Sequence, residues 1–146
     1  MDTTKLPPDF KEFLRLLNSS RVEYLLIGGY AVGYYGYPRP TGDMDIWIAC
    51  NSNTAEKVVG ILEEFGFTCP IQALLAENQV VRMGVPPFRI EVLTTIDGVK
   101  FSECYTERLQ VTLDGVQVNL ISLPRLKENK KASGRSKDIT DLENLP

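Results

Sequence analysis

Three acidic side chains and one pair of glycines are the residues of this sequence best placed to do chemistry. Asp43 and Asp45 stand two apart in an apolar stretch, Asp43-Met44-Asp45-Ile46-Trp47-Ile48. In a β-strand, residues two apart share a face and each rises about 3.3 Å, so the two carboxylates project together roughly 7 Å apart. Met44, Ile46 and Ile48 then point the other way, into a core. Carboxylates converging on one face repel unless a cation sits between them. Hard divalent cations such as Mg²⁺ take oxygen ligands, commonly one or two carboxylates with water and substrate phosphate completing the shell. Gly28-Gly29 follows the apolar run Tyr24–Ile27 and opens a predicted short helix. Glycines there let backbone N–H groups approach a phosphate at the positive helix end. The third acid, Glu91, lies in the alternating run Phe88–Leu93. Phe88, Ile90 and Val92 face one way; Arg89, Glu91 and Leu93 face the other. A carboxylate in mid-strand is costly unless it is paired or bound to a cation. Glu91 therefore either pairs with Arg89 or another base on a solvated face, or joins a metal site.

Composition removes several other chemistries. The chain has 146 residues, no histidine and three cysteines, Cys50, Cys69 and Cys104, with no C-x-x-C spacing. Ser-His-Asp and Cys-His catalysis are excluded, and neither a zinc site nor a disulfide framework is expected. The cysteines read as buried thiols. Acid–base work falls to carboxylates, lysine, tyrosine or a metal-bound group. The net charge of −3 makes any nucleic-acid contact local. No apolar run approaches the ~20 residues of a membrane span, and Met1–Lys5 lacks the parts of a signal peptide. The expectation is one cytoplasmic domain over 1–146 with no membrane partner.

The elements that must position these groups can be read from periodicity. A helix over about Asp9–Asn18 carries one apolar stripe, Phe10, Phe13, Leu14 and Leu17. A strand over Val22–Ile27 leads to the glycines and a short helix, about Tyr30–Tyr35. Tyr30, Tyr34, Tyr35 and Tyr37 cluster there; a base could stack on Tyr30, or the rings could simply pack. The aspartate strand, Asp43–Ala49, precedes a helix over about Thr54–Phe65, with Asn53 as its cap, Glu56 in the capping-box position and Gly66 just past its end. Thr68–Asn78 is ambiguous, and Gln79–Met83 could be a strand. A short helix is expected over Phe101–Glu107. Leu109–Leu113 and Val116–Ile121 flank Asp114-Gly115, a strong hairpin signal. Helices over about Leu123–Ser133, with Ser122 as cap, and Ser136–Leu145 close the chain. In the last, Ile139, Leu142 and Leu145 fall at helical spacing. Six of the sixteen basic residues lie between Arg125 and Lys137, against one acid, Glu128. A solvated basic face, with Lys137 and Asp141 as an ordinary i,i+4 pair, is the plain reading of that segment.

In this order and spacing, Gly28-Gly29 and Asp43-Met44-Asp45-Ile46 resemble the signature of the DNA polymerase beta-like nucleotidyltransferase superfamily. That signature is an apolar strand, Gly-Gly or Gly-Ser, a short linker, and Asp-x-Asp or Asp-x-Glu between apolar residues. Arg39-Pro40-Thr41-Gly42 is similar to the segment that small nucleotidyltransferases carry before the first Asp. The C-terminal pattern of Lys130, Arg135, Lys137, Asp138 and Asp141 is similar to that of minimal bacterial nucleotidyltransferases, including toxin-type enzymes of abortive-infection toxin–antitoxin pairs. The resemblance implies an α+β fold, a central mixed sheet with flanking helices, and the segment 122–146 packed on it. It implies transfer of a nucleoside monophosphate from a nucleoside triphosphate to an acceptor hydroxyl, on RNA, tRNA or protein, with release of pyrophosphate. Asp43, Asp45 and Glu91 would be catalytic and hold two Mg²⁺ ions, or Mn²⁺. The family more often has Asp at the third position. Gly28, Gly29, Tyr30, Arg39, Thr41, Lys130, Arg135 and Lys137 would bind the nucleotide, and Asp138 would orient a basic neighbour. An antitoxin-like protein partner is also implied. Two alternatives stay open: a catalytically idle binding module in a two-protein complex, and an enzyme adenylating an aminoglycoside- or lincosamide-like antibiotic.

Overall fold

A computed structural model describes residues 5–38 and 42–146. Among these, six strands form one mixed sheet in the order β3-β4-β2-β1-β6-β5. The strands are β1 (Tyr24–Ile27), β2 (Asp43–Ile48), β3 (Val80–Met83), β4 (Arg89–Leu93), β5 (Leu109–Leu113) and β6 (Val116–Leu120). β2 runs antiparallel to β1 and parallel to β4; β6 runs parallel to β1. β3 and β5 are antiparallel edges paired to β4 and β6. The helices are α1 (Pro8–Ser19), α2 (Gly28–Tyr34), α3 (Ser52–Glu64), α4 (Gln72–Leu75), α5 (Phe101–Thr106), α6 (Leu123–Ser133) and α7 (Ser136–Asn144). This is the α+β arrangement the sequence implies.

The core follows from the alternation. β1 is buried along its whole length, as expected of a central strand covered on both faces. On β2, Met44, Ile46 and Ile48 are fully buried. Helix α1 buries its stripe of Phe10, Phe13, Leu14 and Leu17, and Phe13 meets Phe65 at the end of α3. Trp47 shares the aspartates' face of β2; its ring stands edge-on to Phe101 of α5, and its Nε1 donates to the Thr94 carbonyl. That face is thus covered at Trp47 and left open at Asp43 and Asp45.

Some local expectations are corrected. Asn51, not Asn53, caps α3: its side chain accepts from the Thr54 N–H at 2.9 Å. The helix consequently starts at Ser52. Thr68–Asn78 resolves into the short helix α4. Cys50 is exposed, whereas Cys69 and Cys104 are buried. The Asp-Gly hairpin forms with Asp114 and Gly115 both at positive φ, the backbone that two-residue hairpins demand.

The largest correction concerns α7. Of the apolar residues at helical spacing, Ile139 is 49% exposed while Leu145, at the C-cap, is buried; within the helix the residues turned inward are Asp138 and Asp141, at 0% and 1%. They face Lys130 of α6, itself buried, at 3.1 and 3.2 Å. Asp141 therefore serves Lys130 rather than an i,i+4 pair with Lys137. A buried lysine needs charge partners, and two aspartates at i and i+3 on one helix face supply them. No described helix is long and apolar enough to cross a membrane.

Candidate active site

The three acids meet because β2 and β4 are parallel neighbours in register. Asp43 lies beside Arg89, and Asp45 beside Glu91. Strand periodicity puts all four side chains on one face, above a cleft of about 820 Å³. Ile27 of β1 pairs with Asp45, so the chain turns into α2 beside the aspartates. Gly28 there has φ +70°, and a Cβ at that position would lie 2.1 Å from Asp45 Oδ2. Only glycine lets the backbone come so near the carboxylate while adopting that conformation.

Burial pushes the Asp45 carboxyl up to about 7; the neighbouring Glu91, charge and hydrogen bond together, and then Asp43 add to the rise, while Lys137 works against it. Like charges this close cannot all ionise without a counter-cation. Two guanidiniums partly supply one. Arg89 Nη2 sits 3.0 Å from Asp43 and 3.2 Å from Glu91, and Arg82 Nε of β3 reaches Glu91 at 3.1 Å. Asp45 is left out of these bonds, and among the described residues its buried Oδ1 has no hydrogen-bond partner.

Among the described residues, no three Asp, Glu or Cys side chains form a ready-made metal cage; Arg89 spans the gap between Asp43 and Glu91. The donor set nevertheless fits a hard cation. It consists of oxygens alone, carries excess negative charge at Asp45, and has one buried oxygen without a partner.

The opposite wall of the cleft comes from the C-terminal helices. Lys130, Arg135 and Lys137 line the cleft from there, while Gly28 and Gly29 line it beside Asp45. Arg135 Nε donates to Asp138 at 2.8 Å while its side chain stays 62% exposed. Burial raises the Asp138 carboxyl, but hydrogen bonds from Arg135 and Lys130 outweigh that and hold it below its usual range. Asp138 thus orients two basic residues. Tyr30 is not among the cleft's lining residues; its ring stands edge-on to Phe10 at 6.0 Å. Arg39 and Thr41 lie outside the described residues. Sequence reasoning missed Arg82 as a partner of Glu91. What sets Arg82 opposite Glu91 is the antiparallel register of β3 on β4, which local alternation does not give.

Solved structures with this arrangement exist. A candidate nucleotidyltransferase from Thermotoga maritima superposes with a TM-score of 0.65 at 15% identity, over 97% of this chain and 94% of that one. The fold is that of the polymerase beta-like nucleotidyltransferases. The lincosamide antibiotic adenylyltransferase LnuA, with lincomycin bound, shares it at a TM-score of 0.59 and 14% identity, over 97% and 98% of the two chains. So does an antigenic nucleotidyltransferase-like protein from Paracoccidioides brasiliensis, at 0.56 and 16%, over 92% and 70%. No protein-family model matches the chain, and no curated protein matches it significantly by sequence. At these identities the likeness establishes the nucleotidyltransferase fold; function has to be argued from the site.

Proposed function

We propose that this chain is a nucleotidyltransferase that moves a nucleoside monophosphate from a nucleoside triphosphate to an acceptor hydroxyl. The observation that carries the reading is the in-register meeting of Asp43, Asp45 and Glu91 in a cleft that Gly28, Gly29, Arg135 and Lys137 also line. The acceptor oxygen attacks the α-phosphorus, the bond to the pyrophosphate oxygen breaks, and the acceptor's proton leaves. Transfer of this kind depends on positioning and charge neutralisation.

Asp43, Asp45 and Glu91 would hold Mg²⁺, two ions on the family's pattern, which when bound neutralises the triphosphate and the departing pyrophosphate. The N–H groups of Gly28 and Gly29 would hold the triphosphate tail. Arg135 and Lys137 add positive charge to the same cleft, with Arg135 aimed by Asp138. Glu91 Oε1 is already engaged by two guanidiniums, so its other oxygen is the one placed to take the acceptor's proton. Arg89, between Asp43 and Glu91, would exchange carboxylate for phosphate as the site fills.

The test is transfer of label from each α-³²P nucleoside triphosphate in Mg²⁺ to total cell RNA, to protein and to antibiotics. Asp45→Asn is expected to abolish transfer while keeping the fold. Activity equal to the parent's would remove the metal-site reading. LnuA matches along nearly its whole length, which keeps an antibiotic acceptor as the second reading. Label on lincomycin rather than RNA would select it.

A further inference from the structure

We infer that the nucleotide this chain prefers is guanosine triphosphate, its base read by the Asp97 carboxylate and Asn129 Oδ1. The inference rests on the transferase reading and deepens it. Beyond Glu91 the cleft follows the same face of β4 to Leu93, about 7 Å on, and then meets the turn that leaves the strand. Thr95, Ile96 and Asp97 line it from that turn, and Asn129 and Ser133 line it from α6. Turn and helix are locked together. Gly98 has φ +81°, and a Cβ there would lie 2.5 Å from the Ala132 Cβ. Asn129 Nδ2 donates to the Asp97 carbonyl at 3.0 Å. Leu93 and Ile96 pack against the core and also line the cleft, which gives a flat base an apolar bed.

The donors around this bed are largely spent within the protein. The Thr95 hydroxyl donates to Asn78 Oδ1 at 2.9 Å, the Ser133 hydroxyl to the Asn129 carbonyl at 3.0 Å, and Asn129 Nδ2 to the turn. The acceptors are not spent. Among the described residues the Asp97 carboxylate has no hydrogen bond or ion pair and acts on Arg135 only through space. Asn129 Oδ1 is left over once Nδ2 is turned to the Asp97 carbonyl. Such a subsite selects a base edge that donates. Guanine alone among the four bases sets two donors side by side, N1–H and the 2-amino group, and a carboxylate accepts such a pair in a bidentate grip. Asn129 Oδ1 would take the second hydrogen of the 2-amino group. Adenine and cytosine each offer one amino donor beside a ring nitrogen that repels the carboxylate, and uracil offers one N–H between two carbonyls. Arg135 joins this part of the cleft to the phosphates, because the charges of both Asp45 and Asp97 act on it. A tail held at Arg135 thus leaves the base within reach of Asp97. ATP keeps the phosphate contacts and binds more weakly.

The experiment is calorimetric titration of the full chain in Ca²⁺ with each of the four nucleoside triphosphates, with inosine triphosphate and with inorganic tripolyphosphate. GTP is expected to bind about tenfold or more tighter than ATP or CTP, with UTP weakest. Inosine triphosphate lacks the 2-amino group and should fall about tenfold below GTP, a comparison that needs no variant. Asp97→Asn should erase the GTP preference and gain affinity for xanthosine triphosphate, whose 2-carbonyl accepts the new amide N–H. Tripolyphosphate binding should stay within about threefold in that variant, since only a through-space neighbour of Arg135 is lost. Asp97 is an exposed turn residue, and circular dichroism melts confirm that the variant folds. If the triphosphates bind equally, if another base is preferred, or if the GTP preference survives Asp97→Asn, the inference falls alone. Loss of GTP binding in Asp97→Asn without a gain of xanthosine triphosphate overturns the pairing with Asp97 in the same way. If the wild-type chain binds no nucleoside triphosphate, the transferase reading falls and takes the inference with it.

Discussion

Asp45 is the side chain on which the electrostatics of the cleft turn. Its carboxyl lies near 7 in the folded chain against 3.8 for a free aspartate. Between those values the folded chain binds more protons than the unfolded one, so stability falls as pH rises. The contribution is complete below about 3.8 and is lost as pH passes through about 7. In EDTA, the unfolding free energy of the wild type should therefore fall relative to that of Asp45→Asn between pH 4 and pH 7.5, by on the order of a few kcal/mol, and its melting temperature with it. Parallel melting curves across that range would show that Asp45 is not the strained group. A second outcome at this scale concerns Gly28. Alanine there meets both a left-handed backbone and the Asp45 oxygen. Gly28→Ala should cost about 2–4 kcal/mol in urea denaturation and weaken triphosphate binding, because the turn must shift.

Among the elements, the α6–α7 pair buries a charge cluster, Lys130 with Asp138 and Asp141, beside its apolar residues Leu126 and Leu145. Lys130→Met leaves Asp138 and Asp141 buried without their shared cation and should destabilise the chain by about 3–5 kcal/mol. Converting both aspartates to asparagine in the same chain should return a good part of that. A loss below about 1 kcal/mol for Lys130→Met alone would mean that water already reaches the pair. This is also where the sequence was least legible. Apolar spacing in α7 pointed to Ile139, but the helix faces a lysine on another helix. A single-helix pattern carries no information about the partner's charge. The sheet was legible because alternation in β2 and β4 is local: the residues that share a face are fixed by the pleat alone. Their parallel, in-register pairing was not legible, since pairing is a long-range fact; the family resemblance implied only that the three acids act together. The ion pair between Arg82 and Glu91 needs that pairing too, plus the antiparallel register of β3, and so stayed hidden. Asn51 displaced Asn53 as cap because both can accept the same kind of bond and only the path of the chain chooses between them.

At the scale of the whole molecule, the cleft joins a sheet carrying excess negative charge to a helical hairpin carrying excess positive charge. The two meet only in part: Lys137 acts on Asp45 through space, and among the described residues Asp45 Oδ1 has no hydrogen bond. A ligand that is itself a divalent cation bound to a polyphosphate complements both walls at once. Binding to the folded chain alone raises stability by RT ln(1 + [L]/Kd), about 2.7 kcal/mol at a hundredfold excess over Kd. Mg²⁺ with ATP should thus raise the melting temperature more than the sum of the two added separately. The gain should be larger at pH 8 than at pH 5, because below about 7 a proton on Asp45 competes with the cation. Asp45→Asn should remove most of the cooperative part, and reversing the charge of Arg135 or Lys137 should reduce the ATP part. Thermal melts in the four combinations of Mg²⁺ and ATP, at both pH values, measure this directly. Strict additivity at pH 8 would mean that the two walls do not share one ligand, and the cleft would then have to be read as two separate sites.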